Sequence, residues 1–238
     1  MQSVIGVAKF LAGVIISITV AALEILFLPV DRKKGRVFHA LARFWARAVL
    51  FVCRVRVQVV GLELLDWSRN YVYVSNHASM FDIPAIIAAI PDQIRIIYKK
   101  ELEVIPVFGW GLKWGSYIGI DRGRGTKAMK SLEEAVQKIR NGASVLLYAE
   151  GTRTMDGRLQ PFKRGAFNLA VRAGVPVVPL TVNGSYRLLP KHSMHIRAGT
   201  IELVLGRPVS IDGNDGKEGE MRLMELVHSA IALHYRDQ

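Results

Sequence analysis

The segment SNHASMFDIP, residues 75–84, closes an alternating apolar run, YVYV, and sets His77 and Asp82 five positions apart around Ser79. An imidazole with an unperturbed pKa of about 6.5 is a ready general base at neutral pH. A carboxylate bonded to its second ring nitrogen fixes the tautomer and favours the cation that forms. Ser79 suggests a nucleophile, but no G-x-S-x-G elbow surrounds it, and direct action of the base on a substrate hydroxyl is simpler. Metal ligation is a third reading, although no further His, Cys or carboxylate stands nearby at ligand spacing. The plainest reading is a solvated histidine beside a helix-capping aspartate. On this segment alone the readings stay open.

A second segment, SVLLYAEGTRTMDG at residues 144–157, is another buried strand that ends abruptly in polar residues. Gly151 allows close approach of the backbone, and Arg153 offers a planar cationic fork suited to a phosphate or carboxylate. Lys99, Lys100, Arg122, Arg124, Lys163 and Arg164 each fall near a strand or loop end. Several of them could converge on one anion; a scattered, solvated surface is the alternative. RGRGTK at 122–127 lacks the spacing of a phosphate loop, and no G-x-G-x-x-G opens a helix after the first strand, which argues against nucleotide hydrolysis.

The elements that must position these residues are strands at 71–75, 94–99, 144–149, 176–184 and 201–206. Several are too continuously apolar to have one solvated side, so helices are expected on both faces. The clearest helix opens at Thr126, carries Ala128, Leu132, Ala135, Val136 and Ile139 on one stripe, and stops at Gly142. Further helices are predicted at 83–90, 165–173 and 218–235. The alternation predicts an α/β fold with a mixed, mostly parallel sheet flanked by helices. Chemistry in such folds gathers at strand ends, where His77 and Glu150 both lie.

The chain has 238 residues, enough for one globular domain and an appendage. With 32 Lys and Arg against 20 acidic residues its net charge is +12, which favours anionic partners. Half of the residues are hydrophobic and no nucleic-acid-binding module is recognisable, so a membrane surface fits better than nucleic acid. The one cysteine, Cys53, excludes an internal disulfide framework and fits a reducing cytosol.

FLAGVIISITVAAL at 10–23, continued by ILFLPV after Glu24, is long enough for a bilayer core, which needs about 20 residues. A cleaved signal peptide is disfavoured, because only Lys9 charges the leading segment and the apolar run resumes beyond any cleavage site. DRKKGR at 31–36 then favours a cytoplasmic body. Residues 37–57 read as one helix, with Arg43, Arg47 and Arg54 on one face and Phe44, Leu50 and Phe51 among the apolar remainder. That pattern suits a helix lying in the membrane interface, with an ordinary core helix as the alternative. The organisation expected is a membrane-associated helical segment over residues 1–57 and an α/β domain over 58–238.

Taken together, four blocks in order resemble the glycerolipid acyltransferase family. N-H-x-S-x-x-D is present as Asn76, His77, Ser79 and Asp82, and the second block runs from Lys99 to Gly125 with Glu101, Leu102, Pro106, Gly109 and I-D-R at 120–122. The usual F-P-E-G-T-R-S is YAEGTRT, from Tyr148 to Thr154, with Ala149 for the proline and Thr154 for the serine. The last is VPVVPLTV, from Val175 to Val182.

The resemblance implies acyl transfer from acyl-CoA or acyl carrier protein to lysophosphatidic acid, giving phosphatidic acid, with His77 as base and Asp82 orienting it. Another lysolipid or glycerol-3-phosphate as acceptor, or a catalytically silent lipid-binding protein, are the alternatives. By the same resemblance Arg153, Arg122 and Lys99 hold the acceptor's phosphate. Glu150, Gly151 and Thr152 shape the loop and offer bonds to glycerol oxygens. The resemblance implies no metal and no resident cofactor, the acyl thioester being a co-substrate. It places the protein on the cytoplasmic face of a bacterial inner membrane, in contact with the phospholipid leaflet.

Overall fold

The computed structural model describes residues 2–27, 35–115, 117–121, 123, 125–210 and 216–236. Arg122, Arg124 and residues 31–34 of the basic stretch lie outside the described residues.

Helices α1 (Gln2–Phe27) and α2 (Arg36–Cys53) lead into strand β1 (Val55–Val60). There follow β2 (Val72–Ser75), α3 (Asp82–Ala89), β3 (Ile94–Lys99), α4 (Phe108–Trp114), β4 (Ile118–Ile120) and α5 (Thr126–Arg140). The chain continues through β5 (Ser144–Tyr148), α6 (Arg164–Ala173), β6 (Val177–Asn183), α7 (Ser185–Leu188), β7 (Gly199–Leu205) and α8 (Gly216–His234). The strands form one mixed sheet in the order β1-β7-β6-β2-β5-β3-β4. Among them only β6 and β7 pair antiparallel, so β2 through β6 all point the same way and share one carboxyl edge.

Period-two alternation divides the apolar strand residues between two cores. Tyr73, Leu146, Val178, Leu180 and Val182 pack with Leu50, Cys53, Ala85 and Ile86 of α2 and α3. Val72, Val74, Val145, Leu147 and Val177 pack on the other side with residues of α5, α6 and α8, among them Val136, Phe167 and Val227. Both faces are therefore covered, as continuous apolar strands require.

The predicted helix over 37–57 is shorter than its composition suggested. Arg54 adopts a left-handed conformation, φ 56° and ψ 44°, and its N–H closes the end of α2 on the carbonyls of Leu50 and Phe51. From Val55 the chain runs in parallel register with β7, Val55 beside Gly199 through Val60 beside Val204. The sheet thus begins inside the segment assigned to the membrane. Helix α2 is itself a core helix, burying Phe38, Ala42, Ala46, Val49, Leu50 and Cys53. Phe44 and Phe51 point away, 62% and 84% exposed. Arg43 does not share a solvated face with Arg47 and Arg54, because its guanidinium turns inward to donate to the carbonyls of Ile90 and Asp92 at 2.6 and 3.3 Å.

Among the described helices one, over Ile5–Phe27, is long and apolar enough to cross a membrane. It also packs along α2 and α4 through one side, burying Val20, Ala21 and Glu24, and exposes Leu11, Ile15, Ile18 and Leu26 on another.

Where α2 meets the sheet, Tyr73 donates to Asp92 at 2.9 Å beside Arg43. Burial, reinforced by the Arg43 charge, lowers the pKa of neighbouring His39 from 6.5 to about 4. The unfolded chain therefore binds this proton more readily than the folded one. The stability that His39 contributes is complete above pH 6.5 and is lost as pH falls from 6.5 towards 4. Acidification across that window should lower the thermal midpoint of the parent more than that of His39→Leu in the same detergent; parallel falls would contradict the assignment.

Candidate active site

Strand β2 delivers His77 to the carboxyl edge, and four hydrogen bonds hold it there. The Asn76 side chain bonds the main chain of β6 twice, donating to the Val182 carbonyl at 2.9 Å and accepting its N–H at 2.8 Å. The His77 N–H donates to Glu150 Oε1 at 2.7 Å, and the His77 carbonyl accepts the Thr154 N–H at 2.9 Å. The turn that follows brings Asp82, fully buried at the start of α3, back under the histidine.

One oxygen of Asp82 gathers three contacts. Oδ2 lies 2.7 Å from His77 Nδ1 and accepts the N–H groups of Ala78 and Ser79 at 2.8 and 2.9 Å. A carboxylate oxygen is an acceptor only, so this pattern assigns the ring proton to Nδ1 and leaves a lone pair on Nε2. The His77 side chain is 17% exposed. Tyr148 stacks on its face with centroids 3.8 Å apart and planes inclined by 14°. The ring is thus held in its plane by Asp82 and against its face by Tyr148.

Ser79 is buried, donates to the Leu189 carbonyl at 2.9 Å and accepts the Phe81 N–H at 3.2 Å. Its hydroxyl holds the turn together, which removes the nucleophile reading. Among the described residues no three side chains of His, Cys, Asp or Glu are grouped to hold a metal ion.

Glu150 is buried, and its oxygens accept backbone N–H groups, Oε1 from His77 and Oε2 from Gln160 at 3.2 Å. Burial raises its pKa to about 7 against the opposing pull of those two donors. Glu150 therefore shapes the loop and ties it to the histidine backbone through both of its oxygens. Gly151 has φ +75°, and a Cβ there would stand 3.0 to 3.3 Å from the end of the Lys163 side chain.

The Arg153 guanidinium has no hydrogen-bond or ion-pair partner among the described residues. Lys191 donates to Thr152 Oγ1 at 3.1 Å and to the Arg153 carbonyl at 3.3 Å. Sequence reasoning missed Lys191, which is 39 positions from Thr152 in a stretch that reads as solvated loop; no local signal marks it. Lys99, at the end of β3, forms a surface pair with Glu101 at 3.3 Å, and Arg164 pairs with Glu220 at 3.3 Å across α6 and α8. The cations that meet at the loop are Arg153, Lys163 and Lys191.

Beside the turn, Met80, Phe81 and Pro84 open onto an apolar chamber of about 330 Å³ closed by α1, α2 and the segment around Pro106. A second chamber of about 160 Å³ lies between α1, α3 and α4, and Ser17, Trp45 and Phe108 line both. Trp45 Nε1 donates to Ser17 Oγ at 2.8 Å at that junction. The site combines a base with a free lone pair, a cationic loop and an apolar recess. It can deprotonate the hydroxyl of an anionic amphiphile.

A family profile described as Acyltransferase matches residues 56–183. The chain is 34% identical over 181 residues to the chloroplastic 1-acyl-sn-glycerol-3-phosphate acyltransferase BAT2 of Brassica napus, covering 75% of this chain and 52% of that protein. It therefore spans about half the length of that relative. Over 205 residues it is 34% identical to the 1-acyl-sn-glycerol-3-phosphate acyltransferase of Pseudomonas aeruginosa, covering 82% of this chain and 77% of that one. The crystal structure of the 1-acyl-sn-glycerophosphate acyltransferase PlsC from Thermotoga maritima matches with a TM-score of 0.81 at 25% identity, over 97% of this chain and 95% of that chain. The profile spans His77, Asp82 and the loop from Glu150 to Arg153, and the chain belongs to the acyltransferase family.

Proposed function

We propose that this protein is a 1-acyl-sn-glycerol-3-phosphate acyltransferase, moving an acyl group from acyl-CoA or acyl carrier protein to lysophosphatidic acid and so making phosphatidic acid. The observation that carries this reading is His77 Nε2, unbonded while Asp82 holds Nδ1, at a site that also has a cationic loop and an apolar chamber. The names of the relatives support the same acceptor.

In this mechanism Nε2 takes the proton of the acceptor's free hydroxyl as its oxygen attacks the thioester carbonyl. The tetrahedral intermediate collapses with cleavage of the carbon–sulfur bond, and the thiolate leaves with the proton from the imidazolium. No acyl-enzyme forms. General base catalysis of this kind contributes about 10² to 10⁴ in rate. Arg153, with Lys163 and Lys191, receives the acceptor's phosphate, and a phosphate so held fixes the hydroxyl near the base. Arg122 and Lys99 belong to the same proposal, as further cations for that phosphate. The acyl chain enters the chamber beside Met80 and Phe81.

The exposed apolar side of α1 and the basic residues that follow it in sequence support a site at the cytoplasmic surface of a membrane, with the acceptor's own chain remaining in the leaflet.

Purified protein in detergent, given palmitoyl-CoA and a panel of lysolipids, should release free thiol only when lysophosphatidic acid is present. His77→Ala should lower that rate by at least about 100-fold with an unchanged thermal midpoint. Release with a different acceptor alone would redirect the assignment, and no release with any acceptor would contradict it.

A second expectation separates bracing from binding. Glu150→Gln faces a backbone N–H with an amide NH₂, and should lower kcat by about 10- to 100-fold while leaving KM for lysophosphatidic acid within about twofold. Arg153→Ala should instead raise that KM by about 10-fold or more. A Glu150 variant whose defect lay in KM would overturn the assignment of that side chain to the histidine backbone.

A further inference from the structure

Of the two chambers, the larger one beside Met80 and Phe81 is the outer and the smaller one between α1, α3 and α4 the inner. The inner chamber has a chemical character that an unsubstituted hydrocarbon chain does not use. Its walls are apolar apart from a few polar groups, and most of those are engaged. Ser17 donates to the Gly13 carbonyl and accepts from Trp45, and the Tyr98 hydroxyl donates to Glu103 at 3.0 Å. Two are not. Glu24, within the apolar helix α1, is only 5% exposed and has no hydrogen bond or ion pair among the described residues. The Tyr117 hydroxyl, lining the same chamber, has no hydrogen-bond partner there either.

Gly111 of α4 leaves room for the carboxyl, since a Cβ at that position would stand 3.3 Å from Glu24 Oε2. Buried polar groups are nearly always hydrogen-bonded, and a carboxyl facing a cavity without a partner points to one that arrives with a ligand.

We propose that the inner chamber is a subsite for a hydroxyl group on the distal part of an acyl chain, held by Glu24 and Tyr117. The proposal rests on the reading that the outer chamber receives the donor's acyl chain. A chain entering beside His77 crosses the outer chamber, passes Ser17, Trp45 and Phe108, and runs along α1 towards Glu24. Seven helical positions separate Ser17 from Glu24, about 10 Å along the axis, so the group recognised lies far from the thioester.

The chemistry selects a hydroxyl over other polar groups. An ammonium or carboxylate carried on the chain would bring a charge into an apolar cavity, where desolvation opposes its binding. A hydroxyl both donates and accepts, and so completes the bonding of a carboxyl and a phenol together.

The test is competition binding to the full-length protein in lipid nanodiscs. A fluorescent acyl-CoA is displaced by palmitoyl-CoA or by the same chain hydroxylated at its terminal carbon or within its distal third. At least one hydroxylated chain should displace the probe at a concentration lower by about 10-fold than palmitoyl-CoA, because a site built to bond a hydroxyl discriminates against the analogue lacking it. Glu24→Leu should abolish or reverse that preference. Should Glu24→Leu fail to fold, Tyr117→Phe carries the same comparison and should reduce the preference.

Equal affinities for plain and hydroxylated chains in the parent would overturn the proposal, as would a preference that survives both substitutions. Displacement by neither chain would overturn it together with the acyl reading of the outer chamber. The expected preference in a protein that releases no thiol with any acceptor would support the subsite and contradict only the enzymatic assignment.

Discussion

A single carboxylate oxygen organises the functional end of this molecule. Asp82 Oδ2 meets His77 Nδ1 and two successive backbone N–H groups, all within 2.9 Å. A buried carboxylate is costly unless it is bonded, and these donors satisfy Oδ2, while Oδ1 is buried without a hydrogen-bond partner among the described residues. The same three bonds shape the turn between β2 and α3 and choose the tautomer of the imidazole. Structure and chemistry at His77 are therefore one constraint, and a change at Asp82 disturbs both.

The remainder of the fold serves to keep that turn at the sheet's carboxyl edge. Parallel pairing of β2 with β5 and β6 brings Ser75 level with Tyr148 and with Leu180. From that alignment the next residues of each segment reach one another: Asn76 bonds Val182, and His77 bonds Glu150. The Glu150 carboxyl then connects the histidine to Gln160, so one side chain ties the cationic loop to the base. Most of the outer chamber's wall comes from α1, α2, the start of α3 and the segment around Pro106. The loop after α7 serves both functions, lining the chamber with Leu189 and Ile196 and bringing Lys191 to Thr152.

Much of this was legible in the sequence wherever the causes are local. His77 and Asp82 close a five-residue turn, and the buried strands announce themselves as apolar runs bounded by polar residues. What escaped reading depends on distant partners or on backbone that composition does not reveal. Glu150 looked like a ligand-binding carboxylate because its actual partners are backbone N–H groups, one of them 73 positions away. Lys191 carries no motif and acquires meaning only when its loop reaches Thr152. The end of α2 was obscured because a left-handed arginine, in place of a glycine, breaks the helix at Arg54, while the same mixture of apolar and basic residues continues into β1. Helix α4 and strand β4 are short and rich in glycine, so neither period had room to show.

The central claim is that Asp82 fixes His77 with its proton on Nδ1 and its lone pair on Nε2. Nitrogen-15 NMR of histidine-labelled protein, with the His77 signals assigned by their loss in His77→Gln, reads this directly. For the neutral ring, the account predicts a protonated Nδ1 and an unprotonated Nε2 in the parent, and loss of that preference in Asp82→Asn. A parent ring carrying its proton on Nε2 would contradict it.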